Sequence, residues 1–374
     1  MSFFNNYSSA YLMVTSNCNL RCPYCYLHKR SDVMSKDMIE NSINLLIQNA
    51  KIANKQEIKI TFFGGEPTLY PDLCKYALLY AVNQCRVNGL KPRFSMITNG
   101  MRFDEAVQDF LLTWYSLMGS FSIQLSYDGF PEIQRINRIA FNNAFDSGAK
   151  MIENITKMKE FCQKYNINFS KSFHVHSVIS KKSMPYMFEI YKYFENLGLA
   201  EIFGLVVEDE WTLEDVKIYD EQFNKIFNYL KETNPSKLKS KTFGYNTRNK
   251  KFIQKTSPFR CGGGRTLCAI TPLGDIYTCH RAAYNSTDCI LGHINEDGSF
   301  TTNEENQIKY NSIQLPEKCQ SCNNSSCRVC KSFFVNPDHY GVALLNFDVY
   351  CKLADVEKKY SNLAQEYLKE HNMI

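Results

Sequence analysis

The sequence predicts an α/β fold assembled from parallel βα units. Three observations carry that expectation. About six short segments show the apolar character and alternation of strands. Amphipathic stretches of helical length lie between them, and polar or glycine-rich residues collect just after the segments. The strand-like segments are "AYLMVTS", "EIKITFF", "RFSMITN", "SFSIQLS", "SFHVHSVIS" and "EIFGLVVE". The first connection contains "SKDMIENSINLLIQNA", with Ser35 as candidate N-cap. The second contains "DLCKYALLYAVNQCRVNG" and closes on Gly89. Strands that alternate with helices imply a parallel sheet, and reactive groups in such folds gather where the strands end.

A chain of 374 residues accommodates a large domain with a smaller one, or one elaborated barrel. We expect a core over 1–235 and a linker with a second domain over 236–374. Hydrophobic residues make up 44% and charged residues 22%, ordinary proportions for a globular protein. No uncharged apolar run approaches the roughly 18 residues of a membrane helix. The start, "MSFFNNYSSAYLMVTSNC", lacks the regions of a signal peptide, so a cytoplasmic location is expected. The net charge of +5 is spread among both signs, and basic residues cluster only in "KETNPSKLKSKTFGYNTRNKKF". That run reads as a solvated linker; neither a nucleic-acid nor a membrane partner is expected.

Cysteine usage is the anomaly. There are fifteen, an odd number poorly explained by disulfides in a reducing compartment. Cys18, Cys22 and Cys25 crowd one loop; Cys74, Cys85 and Cys162 are scattered; nine fall between 261 and 351. Cys74 and Cys85 fall within a helix-like stretch and read as buried structural thiols. Three thiolates are too few for a closed zinc site unless a distant fourth ligand joins. They suit an iron–sulfur cube with one iron left open. In the later group, setting Cys289 aside leaves Cys261, Cys268, Cys279, Cys319, Cys322, Cys327, Cys330 and Cys351. Two sets of four serve two zinc ions or two iron–sulfur clusters equally well by count.

The loop C-x3-C-x2-C, with Asn19 after its first cysteine and Tyr24 before its third, precedes a strand that ends in Gly64-Gly65-Glu66-Pro67. Together these resemble the radical S-adenosylmethionine (SAM) family. The resemblance implies a partial (β/α)6 TIM-like barrel in which Cys18, Cys22 and Cys25 hold a 4Fe-4S cluster that binds SAM. It further implies that Gly64, Gly65, Glu66 and Pro67 receive the amino group of SAM. Ser95, Asn99, Ser126 and Asp128 would then hold its ribose and carboxylate, with Arg138 as a carboxylate partner. The competing reading of these polar residues is ordinary turn chemistry.

The later cysteines run C-x12-G-x4-C, then C-x2-C-x4-C-x2-C, then a distant cysteine, and resemble the SPASM extension of that family. This resemblance implies two auxiliary 4Fe-4S clusters, one on Cys261, Cys268, Cys279 and Cys330, the other on Cys319, Cys322, Cys327 and Cys351. The middle spacings of four and two depart from the usual five and three, which bears most on Cys327. Cys289 reads as a spare thiol or a substitute ligand. Because the cysteine loop starts at residue 18, the N-terminal peptide-recognition domain of some relatives is not expected here.

The resemblance implies an oxidoreductase acting on a peptide or protein, supplied by an electron donor such as flavodoxin or ferredoxin. The expected product is a thioether or carbon–carbon crosslink in a ribosomally made peptide. The alternatives are anaerobic sulfatase maturation, which makes formylglycine, and a non-catalytic metal-stabilised binding protein. In sulfatase maturases an aspartate follows the cysteine of G-x4-C and acts as base. Here His280 and Arg281 follow Cys279, and His280 is the candidate base. His174 and His176 share one face of their strand and read as core histidines or a lumen pair. Glu208, Asp209 and Glu210 follow the last barrel strand and read as a solvated loop or a site for a substrate amine.

Overall fold

Strand β1 (Ser9–Thr15) is the pivot of the architecture. It pairs in parallel with β2 (Glu57–Gly64), placing Tyr11 beside Thr61. The crossover is α1 (Lys36–Ile52), where the Ser35 hydroxyl accepts the Met38 N–H at 3.1 Å, one of the orphan donors of a helix start. Ile39, Ile43, Leu46 and Ala50 are buried at helical spacing. The same unit recurs through α2 (Pro71–Val87), β3 (Lys91–Thr98), α3 (Glu105–Met118) and β4 (Ile123–Ser126), and β2–β3 and β3–β4 are also parallel. Next come α4 (Pro131–Asn137), α5 (Ser147–Lys164), the short α6 (Phe169–Ser172) and β5 (Phe173–Ile179). Then follow α7 (Met187–Leu197), β6 (Ala200–Leu205) and α8 (Leu213–Thr233). The expected α/β class, with a central parallel sheet, is what this computed structural model of the chain displays. It describes residues 7–207, 209–246, 251–252, 262–314, 316–320, 322, 324, 327, 330–331, 334 and 347–374. Glu208, Cys261 and part of the basic run lie outside the described residues.

The chain packs as two units. The first comprises 1–127, 134–175 and 262–313. There β9 (Leu267–Ile270) lies parallel to β1 on the side away from β2. It is followed by the antiparallel β10 (Asp275–Tyr277), β11 (Ile290–Ile294) and β12 (Phe300–Thr302), and by α9 (Glu304–Ser312). Its core is aromatic. Phe62 of β2 stacks on Phe94 at 6.0 Å and meets Phe110 and Trp114 of α3 edge-on at 5.7 and 6.0 Å. Such pairs add to the burial of large rings.

The second unit comprises 128–133, 176–261 and 314–374. It holds β6, α7, α8, the two-residue pair β7 (Tyr245–Asn246) and β8 (Lys251–Phe252), α10 (Glu317–Gln320) and the last helix, α11 (Phe347–Glu370). A capping box between Thr212 and Asp215 starts α8. Phe223 stacks on Tyr360 of α11 at 5.5 Å, and the Tyr219 hydroxyl donates to Glu357 Oε1 at 3.0 Å in a buried bond. Among the described residues no helix is long and apolar enough to cross a membrane.

Replacing Trp114 by alanine removes a ring in contact with Phe62, Phe94, Phe110 and Phe121. The expected loss is about 3–5 kcal/mol, read as a lower urea midpoint for the unfolding of the first unit.

Candidate functional site

The pairing of β1 with β2 does not stop where the strands end. Gly65 N–H donates to Thr15 O and Glu66 N–H to Asn17 O, each at 2.8 Å. The backbone after β2 therefore runs against the start of the cysteine loop. A Cβ at Gly64 would stand 2.1 Å from Thr15 O, and one at Gly65 2.0 Å from Asn17 O. Both obstacles are backbone atoms in hydrogen-bonded register, and Gly64 also has a φ of +137°. The glycine pair is required first by the approach of the chain to itself.

Glu66 follows, 1% exposed. Its Oε1 accepts from the Thr68 N–H at 3.0 Å and from the Thr68 and Thr98 hydroxyls at 2.6 Å each. Its Oε2 accepts the Asn99 N–H at 2.7 Å. Burial pushes this carboxyl up while the four donors oppose the shift. The carboxylate thus spends its acceptor capacity on joining the end of β2 to the end of β3, and what the Gly64–Pro67 turn offers a ligand is backbone. Asn99 carries the connection onward. Its Nδ2 donates to Asn19 Oδ1 at 2.8 Å and lies 3.7 Å from Cys18 Sγ, while its Oδ1 accepts the Met101 N–H at 3.0 Å.

The three thiols of the loop differ in exposure: Cys18 is buried, Cys22 and Cys25 half-buried. Cys25 N–H closes a turn onto Cys22 O at 3.0 Å, and Leu20 N–H points at Cys18 Sγ at 3.4 Å. Arg138 Nη1 lies 4.0 Å from Cys22 Sγ, with the guanidinium 5.6 Å over the Tyr24 ring. Burial alone would lower the Lys29 ammonium, but the charges of Cys25, Cys18 and Cys22 and a hydrogen bond to Cys25 raise it. N–H donors and two cations around three thiols fit an anionic thiolate-bound cluster, whose sulfurs need such partners. Among the described residues no three His, Cys, Asp or Glu side chains already converge on a common metal position.

Other expected ligand contacts lie as follows. Ser95 sits within β3, its hydroxyl 2.9 Å from that of Thr61 on the neighbouring strand. Ser126 is the half-buried last residue of β4. Asp128 belongs to the second unit and is wholly buried; its Oδ1 accepts the Val178 N–H, and its carbonyl the Ser177 hydroxyl, each at 3.0 Å. Its carboxylate thus binds the backbone of β5.

Of the later cysteines, Cys268 lies on β9 in register with Ala10 of β1, its Sγ 3.7 Å from Ser9 O. Burial pushes its thiol up to about 12. Cys279 is buried just after β10, and Cys330 is half-buried in the second unit. Within that second unit burial raises the Cys351 thiol of α11, and the charges of Cys319 and Cys327 raise it further. Lys318, paired with Asp348, opposes this. Cys322 is exposed and accepts the Asn324 N–H at 3.5 Å. Cys74, Cys85, Cys162 and Cys289 are all buried. His174 and His176 share the half-buried face of β5, opposite Phe173, which packs on Phe103 and Phe121. Asp209 Oδ2 accepts the Lys181 N–H at 2.7 Å, and burial pushes its carboxyl up.

His280 stands within the first unit against the cysteine loop. Its Nδ1 is 2.6 Å from the Tyr26 hydroxyl, and its ring meets Tyr11 of β1 at 4.2 Å and Phe63 of β2 at 4.8 Å. The Arg281 guanidinium lies 4.8 Å over the Tyr26 ring, and Asn285 Nδ2 donates to Tyr26 O at 2.7 Å. Burial pushes the Tyr26 phenol well above its usual value against the pull of Arg281. Residues 280–285 therefore clasp the residue next to Cys25. Tyr26, Lys29 and Asn285 escape sequence reasoning, because only adjacency to a cysteine marks the first and nothing local marks the others.

Comparison with known proteins gives a consistent family. Residues 12–167 match the model of the Radical SAM superfamily. The cysteine-type anaerobic sulfatase-maturating enzyme of Clostridium perfringens is 23% identical over 368 residues, spanning 90% of this chain and 91% of that protein. The solved structure of native anSMEcpe with bound AdoMet and Cp18Cys peptide is similar with a TM-score of 0.63 at 20% identity, covering 96% of this chain and 99% of that one. Streptococcus suis SuiB bound to precursor peptide SuiA gives a TM-score of 0.55 at 15% identity, covering 85% and 70%. The two structures share the fold, whose parallel strands follow the TIM-like arrangement.

Two substitutions test the scaffold. Gly65→Ala drives a methyl into Asn17 O and is expected to abolish iron retention after anaerobic reconstitution, measured by iron and sulfide analysis. Glu66→Gln sets an amide donor among four donors, costing about 1–3 kcal/mol per group left unsatisfied. A lower denaturation midpoint together with reduced iron content is expected.

Proposed function

We propose that this chain, whose residues 12–167 are a radical SAM domain, is a peptide maturase that oxidatively forms a thioether or carbon–carbon crosslink in a ribosomally made peptide. The observation that carries the reading is the residue after Cys279. A histidine stands there, packed onto the cysteine loop through Tyr26, where the sulfatase-maturing relatives are expected to place an acidic base. Similarity over nearly the full length to a sulfatase-maturating enzyme supports the second reading, formylglycine formation on a protein substrate.

When bound, SAM and a 4Fe-4S cluster supply a 5′-deoxyadenosyl radical that abstracts a substrate hydrogen. The chain's part is to hold and orient. Cys18, Cys22 and Cys25 would ligate that cluster, with Asn99, Arg138 and Lys29 beside their sulfurs. The backbone of Gly64, Gly65, Glu66 and Pro67 would face the SAM amine, with Tyr24, Ser95, Asn99, Ser126, Asp128 and Arg138 as further candidates. Cys261, Cys268, Cys279 and Cys330, and Cys319, Cys322, Cys327 and Cys351, would hold two auxiliary clusters that accept the electron released by a net oxidation. The core would end near residue 235, and an electron donor such as flavodoxin or ferredoxin would reduce the first cluster in the cytoplasm.

The test is anaerobic reconstitution followed by an assay for 5′-deoxyadenosine with SAM and dithionite. Wild type is expected to hold about twelve irons and to cleave SAM. The Cys18/Cys22/Cys25→Ala variant is expected to keep about eight and to lose cleavage. Mass spectrometry of co-expressed peptides encoded nearby then separates the readings: loss of two hydrogens supports a crosslink, whereas conversion of Cys or Ser to formylglycine in a sulfatase peptide supports the second. Zinc in place of iron, or no cleavage by either protein, overturns both.

A further inference from the structure

Beside the cysteine loop the first unit exposes a small apolar face. Ile136, near the end of α4, is 45% exposed, and Ile139 and Phe141 follow at 39% and 45%. Residues 139–141 run antiparallel to residues 19–21. Arg21 N–H donates to Ile139 O at 2.7 Å, Phe141 N–H donates to Asn19 O at 2.9 Å, and Leu20 pairs with Ala140. Alternate side chains in such a pair turn to opposite faces. Leu20 and Ala140 are buried and turn inward, so Ile139 and Phe141 look outward. The Arg21 guanidinium lies 4.0 Å over the Phe141 ring and donates to Cys18 O at 2.7 Å and to Leu20 O at 2.8 Å. Asn19, whose carbonyl holds Phe141, is the residue after Cys18.

The surrounding charge has one sign. Residues 17–31 and 134–145 contain Arg21, Lys29, Arg30, Arg135 and Arg138 and no Asp or Glu. Asp32 and Asp146, which follow the two segments, pair with Arg30 and Arg135. Among the described residues Arg21 has no carboxylate partner. An apolar island among cations fits a partner that carries carboxylates around an apolar centre, because the charges speed the encounter and set its orientation. The small size of the face suits the brief contacts that electron carriers make.

We propose that Ile136, Ile139 and Phe141, with Arg21, form the docking face for an acidic one-electron carrier protein that reduces the first cluster. The carrier loses one electron, the cluster held by Cys18, Cys22 and Cys25 gains it, and no bond forms or breaks. This inference rests on the proposed cluster for its electron acceptor, and the peptide substrate plays no part in it.

The experiment follows reduction of the full-length, anaerobically reconstituted protein by a reduced acidic flavodoxin in stopped flow, without SAM or peptide. The signal is the loss of cluster absorbance that is absent from the Cys18/Cys22/Cys25→Ala variant. Wild type is expected to be reduced at a rate that falls as salt is added. Ile136→Glu and Phe141→Glu are each expected to slow this step roughly tenfold at low salt, while dithionite, which needs no docking face, reduces them like wild type. Unchanged rates with flavodoxin in both variants, or a wild type that flavodoxin does not reduce, overturn the proposal. Equal slowing by dithionite in both variants also overturns it, since the effect then lies in the cluster. Should Phe141→Glu lose its iron, Ile136→Glu, which lies outside the pair with the cysteine loop, decides. SAM cleavage with dithionite is measured on the same samples. Absent cleavage with the expected flavodoxin rates sinks the maturase reading and leaves the docking face, whereas normal cleavage with unchanged rates does the reverse.

Discussion

The arrangement depends on a short stretch of backbone that stays in register after its strands have finished. Thr15 and Asn17 accept from Gly65 and Glu66, and that continuation brings the cysteine loop, the turn after β2 and the end of β3 into one place. Side chains on Gly64 or Gly65 would break it. Glu66 then makes it rigid, because a carboxylate with four donors has little freedom to swing. Asn99 carries the same order to Cys18. Each step is local and short, and together they fix where the first thiol stands.

Charge completes what register begins. The loop sulfurs face backbone N–H groups, an asparagine amide, a guanidinium and an ammonium. Such an environment suits an anionic group held by sulfur, while burial by itself raises the Cys18 thiol against the pull of Lys29. A comparable theme recurs within the second unit, where Lys318 lies near Cys319 and Cys351. Cys268 lies on β9 beside β1, and burial raises its thiol. Burial raises both Cys18 and Cys268, and at Cys18 the Lys29 ammonium opposes the shift.

Most of the barrel-like order is legible in the sequence. Alternating apolar segments and capped helices such as the one behind Ser35 reflect periods of 2.0 and 3.6 residues, which a single sequence displays. The cysteine loop and the glycine pair are legible as motifs, but the physical reason for the glycines is not. That reason is the approach of Thr15 and Asn17, about fifty residues upstream in the chain. The motif alone points Glu66 at a ligand, whereas its partners Thr68, Thr98 and Asn99 turn it inward. The pairing of β9 with β1 carries no local signal, because "LCAI" is too short to announce a partner. His280 is visible beside its cysteine; the phenol it meets is not, since Tyr26 lies 254 positions away.

The pairing of β1 on both sides also bears on how the chain is made. β2 arrives soon after β1, but Ser9 and Cys268 are 259 positions apart, a gap that translation takes on the order of tens of seconds to fill. Throughout that interval one flank of β1 is an open edge with unmet N–H and C=O groups, the kind of edge that recruits wrong partners. The strand that launches the cysteine loop is thus among the first synthesised and among the last completed. The segment that packs on Tyr26 beside the loop, His280 to Asn285, arrives later still, so the waiting time is set by the position of β9 and the residues after it in the sequence.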